Sequence, residues 1–296
     1  MTKGFAKVSL LSAFFLLVVG CSSLPQKEVF SANAKGSVTN PKEVMFIHGM
    51  FMTSDNWTEW QKYFTLHGYK TSAPAWPQHD KPVAEMRDKK NFEALAEISL
   101  EDVLNHYRAI LRDKPVKPIL IGHSMGGLVA QILLSENLAS AAVVLDSAPP
   151  RWTFVVSWSF TRTNWPILNP FSSSPLVQDQ DSFNYAFCNA QNESEQKRIF
   201  ETYAVPESKS VGRGPLTKAG SLNYDNARGP LLLVAGTEDH IIPAKLTYAN
   251  FQKYYDTPGY TEFYLAQGRD HCLMVARGWE ELAETSRQWL ETKLVK

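Results

Sequence analysis

The chain has 296 residues, 30 basic and 30 acidic, with a formal net charge of zero at pH 7. The basic residues are not clustered, so nothing in the charge points to nucleic acid. Three cysteines, with no Cys-x-x-Cys or His-Glu-x-x-His spacing, argue against a zinc site.

Residues 1–20 carry Lys3 and Lys7 and then an apolar run over 8–19. That is a charged n-region followed by a short h-region, too short for a membrane span of about 20 residues. The run ends Leu17-Val18-Val19-Gly20-Cys21, which resembles the lipobox of bacterial lipoproteins. The resemblance implies cleavage before Cys21, acylation of that cysteine and a lipid-anchored envelope protein. Ser22 in place of an Asp implies the outer membrane in enteric-type sorting. Residues 21–40 lack periodicity and read as a flexible tether. About 255 residues remain, which fits one α/β domain with an insertion.

Residues 43–47 form an apolar strand that ends in His48-Gly49-Met50. A loop there can offer the Met50 N–H to a developing oxyanion. His48 itself reads better as a histidine that hydrogen-bonds to hold this loop. Residues 54–66 read as a helix with Trp57, Trp60 and Phe64 packed on one face, stopped by Gly68. A strand over 70–75 follows, and Pro74 and Trp76-Pro77 begin a loop. Ser99-Leu100-Glu101-Asp102 is a capping box, and the helix it opens should bury Val103, Tyr107, Ile110 and Leu111.

Residues 118–121 read as a buried strand, followed at once by Gly122-His123-Ser124-Met125-Gly126 and an apolar helix over 128–134. Strand, Gly-x-Ser-x-Gly and helix make a nucleophile elbow with Ser124 at the apex. Side chains at 122 and 126 would collide with the turn or the neighbouring strand. The Met125 N–H, at the start of the helix, is the second oxyanion donor. Alternating strands and helices predict an α/β fold with a mostly parallel sheet and helices on both faces.

After a strand over 141–145 the rhythm stops. Residues 151–228 hold Trp152, Phe154, Trp158, Phe160, Trp165 and Phe171 among prolines, and one helix over 193–205. This stretch reads as an inserted cap between two parts of the core, 41–150 and 229–296. Most of its aromatics should pack the cap's own core, and a minority should roof an apolar pocket. Residues 230–235 form a strand that leads to Glu238 and Asp239. Asp239 is the expected acid, with Glu238 facing solvent. Asp146, at the end of the preceding strand, is the rival. A helix over 244–255, a strand over 261–265 and a helix over 279–294 complete the chain. Between the last two lies His271, the general base by elimination: His67 and His106 lie on helices, His79 in an early loop, and His240 adjoins Asp239. Cys188 and Cys272 are either a disulfide or two buried thiols.

The order Ser124, Asp239, His271, with His48-Gly49 and Gly122 to Gly126, resembles the α/β-hydrolase fold serine hydrolases of the lipase/esterase type over residues 41–296. The resemblance implies an acyl ester substrate, small molecule or lipid, cleaved through an acyl-enzyme without metal or organic cofactor and without an obligate protein partner. Lysophospholipase, thioesterase or perhydrolase activity would use the same triad, and a non-catalytic envelope lipoprotein would keep only the fold. One departure is Arg269-Asp270 before His271, where a Gly is common. Asp270 is therefore expected to influence the histidine.

Overall fold

The computed structural model describes residues 23–32, 41–155, 157–169, 171–172 and 174–294. The signal-peptide reading of 1–20 and the acylation of Cys21 lie outside the described residues. Strands β1 (Lys27–Ala32), β2 (Glu43–Ile47), β3 (Lys70–Ser72), β4 (Ile119–His123), β5 (Ala141–Leu145), β6 (Leu231–Gly236) and β7 (Gly259–Ala266) form a sheet in the order β1-β7-β6-β5-β4-β2-β3. Every pairing is parallel except β1 with β7. The helices are α1 (Thr58–Leu66), α2 (Val83–Met86), α3 (Phe92–Ala96), α4 (Leu100–Arg112), α5 (Met125–Ser135), α6 (Trp158–Leu168), α7 (Gln180–Phe187), α8 (Glu193–Tyr203), α9 (Lys209–Arg213), α10 (Ala244–Gln252) and α11 (Trp279–Lys293). This is the α/β-hydrolase architecture implied by the sequence.

The central strands β4, β5 and β6 are buried at every residue. That explains their unbroken apolar runs, since a parallel sheet covered on both faces has no polar side to alternate with. Strand β3 is shorter than the 70–75 expected. It is an edge strand, and Pro74 has no N–H to continue a ladder. Helix α4 starts at a reciprocal capping box between Ser99 and Asp102 and buries Val103, Leu104, Tyr107 and Leu111. Ile110 is only half-buried. Trp57, Trp60 and Phe64 pack with Phe46 of β2, and the Trp60 indole N–H donates to the Met274 carbonyl at 2.9 Å.

The tether reading of 21–40 fails for residues 27–32. They form β1, antiparallel to β7. The strand alternates as a sheet requires. Phe30 stacks on Phe251 with ring centroids 4.2 Å apart, and Glu28 accepts from the Tyr248 hydroxyl at 2.6 Å. Lys27, on the opposite face, pairs with Glu262 at 2.5 Å.

Between β5 and β6 the chain inserts α6 to α9. The expected burial of the aromatics there does not hold. Trp158, Trp165 and Phe171 are exposed, as are Trp152 and Phe154, and Phe160 is half-buried. Phe183 and Phe187 of α7 take the interior positions instead. Four short helices enclose too little volume to cover more large rings. Cys188, at the end of α7, is disulfide-bonded to Cys272, 84 residues away, with their Cα atoms 5.5 Å apart.

Opening this bond releases a long loop in the unfolded chain, at a typical loss of about 2–4 kcal/mol. Cys188→Ser is therefore expected to lower the urea midpoint of unfolding, with added reductant producing the same shift in the parent and none in the variant.

Candidate active site

Ser124 stands between β4 and α5 with φ 54° and ψ −122°, a conformation that only a rigid surround imposes on a non-glycine residue. Its N–H donates to the Leu145 carbonyl at 2.9 Å, which locks the turn to β5. The flanking glycines are there for clearance. A Cβ on Gly122 would lie 2.3 Å from the Gly126 carbonyl oxygen. A Cβ on Gly126 would lie 2.3 Å from the Ile47 oxygen and 2.4 Å from that of His48. The start of α5 thus rests against the end of β2, and this approach sets Met125 beside the loop that carries Met50. Both methionines and Ser124 line one cavity. The first N–H groups of a helix have no acceptor within it, so they are available to an anion.

The loop after β7 brings His271 to Ser124. Its Nε2 is 3.0 Å from the Ser124 Oγ, and its Nδ1 is 2.6 Å from Asp239 Oδ2. All three residues are buried. The other oxygen of Asp239 accepts from the Ile241 and Ile242 N–H groups at 2.7 and 2.9 Å. An ionised carboxylate can then only accept from the imidazole, which puts the hydrogen on Nδ1 and leaves Nε2 facing the serine hydroxyl as an acceptor.

Asp146 is not in this relay. It ends β5 with φ 42° and is buried, and its Oδ1 accepts from the Gly236 N–H at 2.7 Å. Burial, and then the charge of Asp239, hold its carboxyl well above the usual range. Its ionisation is thus disfavoured beside Asp239. Asp146, Asp239 and His271 form the one group among the described residues whose donor atoms, within 4.8 Å of one another, could hold a cation. Asp239 already spends both oxygens on the imidazole and on two backbone donors.

His48 holds its loop, as expected. Its Nδ1 faces the Gly49 oxygen at 2.9 Å, and its Nε2 accepts from the Trp76 N–H at 3.2 Å. Burial, with the neighbouring His79, lowers its pKa to about 3, so it is neutral. The peptide whose carbonyl it grips is the one that carries the Met50 N–H. In a trans peptide the two point opposite ways. Glu238 is exposed, and His240 turns to the Tyr185 carbonyl. Asp270 goes elsewhere than the imidazole. Its carboxylate accepts from Ala190 N–H, Gln191 Nε2 and Cys272 N–H, tying the His271 loop to the cap.

The sequence reading overlooked one residue of this site. His123, between Gly122 and Ser124, donates from Nε2 to the His271 carbonyl at 2.9 Å and lies against its ring. Burial, then His271, lower its pKa well below the usual range. Its place inside the elbow motif was the available signal.

The cavity above Ser124 is about 180 Å³. Its lining comes from the oxyanion loop, the start of α5 and the cap, including Phe154, Phe160, Ile167 and Leu216. Among the described residues no charged side chain lines it, and Thr153, Thr163, Asn164 and Gln178 supply its polar atoms beside Ser124.

A family model described as "Alpha/beta hydrolase family" matches residues 44–285. A curated relative from Mycoplasma genitalium, named as an esterase/lipase, is 26% identical over 233 residues, 77% of this chain and 78% of that protein. Among solved structures, a monoacylglycerol lipase of Paleococcus ferrophilus superposes with a TM-score of 0.61 at 18% identity, covering 90% of this chain and 98% of that one. Methylketone Synthase I of tomato superposes at 0.65 and 15% identity, over 86% and 99%. These likenesses agree with the fold.

The two carboxyls are separable by experiment. Asp239→Asn presents an amide to His271 and favours the wrong tautomer, so the rate of Ser124 phosphonylation by a fluorophosphonate should fall by up to about 10⁴-fold. Asp146→Asn is an isostere that still accepts from the Gly236 N–H and adds no charge where one is disfavoured, and should cost less than about tenfold. The reverse order would make Asp146 the working acid.

Proposed function

Because the chain belongs to the alpha/beta hydrolase family, we propose that it is a serine hydrolase that cleaves carboxylic esters with an apolar acyl group. The observation that carries this reading is the relay Ser124–His271–Asp239, at 3.0 and 2.6 Å, opening into a cavity with no charged lining among the described residues. Such a lining favours an apolar acyl chain over a charged one, because a charge there would lose its hydration without a partner. The name of the Mycoplasma genitalium relative supports the same class.

In this mechanism Ser124 Oγ attacks the ester carbonyl as His271 Nε2 takes its proton. Asp239 stabilises the imidazolium that results. The Met50 and Met125 N–H groups receive the oxyanion, each worth about 3–4 kcal/mol in sites of this kind. Collapse expels the alcohol, which takes the proton from His271. Water, deprotonated by the same imidazole, then attacks the acyl-enzyme and releases the acid. The cap favours acyl chains of short to medium length. We further propose that Cys21 carries lipid and anchors this activity to the bacterial envelope, at the periplasmic or surface face of the outer membrane.

The direct test is hydrolysis of p-nitrophenyl esters from acetate to palmitate, with Ser124→Ala beside the parent. Turnover in the parent, none in the variant, and an optimum among the shorter chains are expected. Equal rates in both proteins would refute Ser124 as the nucleophile. For the anchor, Cys21→Ala should move the protein from the membrane to the soluble fraction with hydrolysis retained. If it stays in the pellet, the lipobox reading is wrong.

A further inference from the structure

The loop that offers the Met50 N–H is held from two sides. On the core side, His48 fixes the Gly49–Met50 peptide by its bond to the Gly49 carbonyl. On the other, the next peptide is fixed by the cap. Phe51 has a positive φ of 63°. Its N–H donates to Glu207 Oε2 across a long 3.4 Å, and its carbonyl accepts from the Val205 N–H at 3.0 Å.

Glu207 is fully buried and comes from the segment between α8 and α9. Its Oε1 accepts from the Ser208 N–H at 2.6 Å. Its own backbone pairs with Leu176 in both directions. Its Oε2 also faces His79 Nε2 at 3.1 Å, and His79 Nδ1 faces the Pro77 carbonyl at 3.1 Å. A carbonyl and an ionised carboxylate only accept, so this pair of partners favours the imidazolium, with a hydrogen on both nitrogens. Burial opposes that charge, but the charge and hydrogen bond of Glu207 outweigh it and raise the pKa. The other titratable groups facing His79 are Asp80, which favours the cation, and the neutral ring of His48. A buried carboxylate is costly without such a partner.

We propose that Glu207, neutralised by His79, is a positioning residue of the oxyanion hole: it lets the cap fix the Met50–Phe51 peptide and so aim the Met50 N–H at the reacting carbonyl. This rests on the serine-hydrolase reading above. It adds that the oxyanion hole is complete only when the cap is seated. A displacement of about 1 Å at such a donor is enough to cost on the order of 10²-fold in rate.

The test compares the full-length parent with Glu207→Leu and His79→Gln on p-nitrophenyl butyrate. Fluorophosphonate labelled to completion counts the folded sites in each. For Glu207→Leu, kcat per labelled site should fall about 10- to 100-fold with KM within about twofold, since the lost contact matters only in the transition state. A trifluoromethyl ketone, whose adduct with Ser124 is an oxyanion, should lose affinity by the same factor. Unchanged kcat per site, with only a lower urea midpoint, would reduce the pair to a structural role and overturn the proposal.

Should Glu207→Leu not fold, the pH profile decides. A histidine with a raised folded pKa contributes below its ordinary value and is lost as pH rises through the raised one. The kcat of the parent should therefore fall on the alkaline side, and His79→Gln, which keeps a neutral donor to Glu207, should lack that fall. The same alkaline limb in both would overturn the proposal. A parent that neither turns over nor labels would sink the serine-hydrolase reading, and this inference with it. An active parent with an unimpaired Glu207→Leu would sink this inference alone.

Discussion

The contact on which the site depends is between backbones: the first turn of α5 against the last residues of β2. Parallel pairing sets Ile47 beside Gly122, and the missing side chain at Gly126 lets the helix start touch the Ile47 and His48 carbonyls. From that approach follow the strained φ of Ser124, its opening to the cavity and the place of Met50 and Met125 in the same lining. A single methyl group at 126 would have to displace either the strand or the helix. Because β2, β4 and β5 are buried, neither has room to move.

Around this frame, protonation is sorted by what each buried group faces. Asp239 accepts two backbone N–H groups and an imidazole, whereas Asp146 has one backbone donor and the charge of Asp239 nearby. Two carboxyls in one buried space cannot both ionise cheaply, and the pKa of Asp146, the one with fewer donors, is pushed up. The histidines divide in the same way. His48 pairs one nitrogen with a carbonyl and the other with an N–H, so it is neutral. His79 faces a carbonyl and a carboxyl, so its charged form is favoured. Residue type is the same in both, and the state is set by the partners.

That dependence on partners also marks how far the sequence can be read. The elbow, the Asp239 and His271 positions and the buried strands were legible because each is a local pattern: a Gly spacing, a strand end, an apolar run. Strand β1 was not, because six residues with weak alternation acquire strand character only by pairing with β7, more than two hundred residues away. The exposed aromatics of α6 were misjudged for a related reason. Composition reports that Trp158 and Trp165 are apolar, but not that the cap is too thin to cover them. Glu207 and His79 carry no motif at all, and only the fold makes them neighbours.

The cap is fastened to the core at several places, among them the loops that carry His271 and Met50. At the His271 loop the links include the Cys188–Cys272 disulfide, the Phe187 carbonyl bonded to the Cys272 N–H, and Asp270 bonded to Ala190 and Gln191. At the loop after β2 they are Val205 and Glu207 on the two sides of Phe51. A cap that only roofed a pocket would need apolar contact and no such pairing. Direct polar links to both loops couple the seating of the cap to the placement of His271 and of the Met50–Phe51 peptide. Sequence change in the cap that leaves the pocket lining intact can then still alter the rate, by loosening either loop.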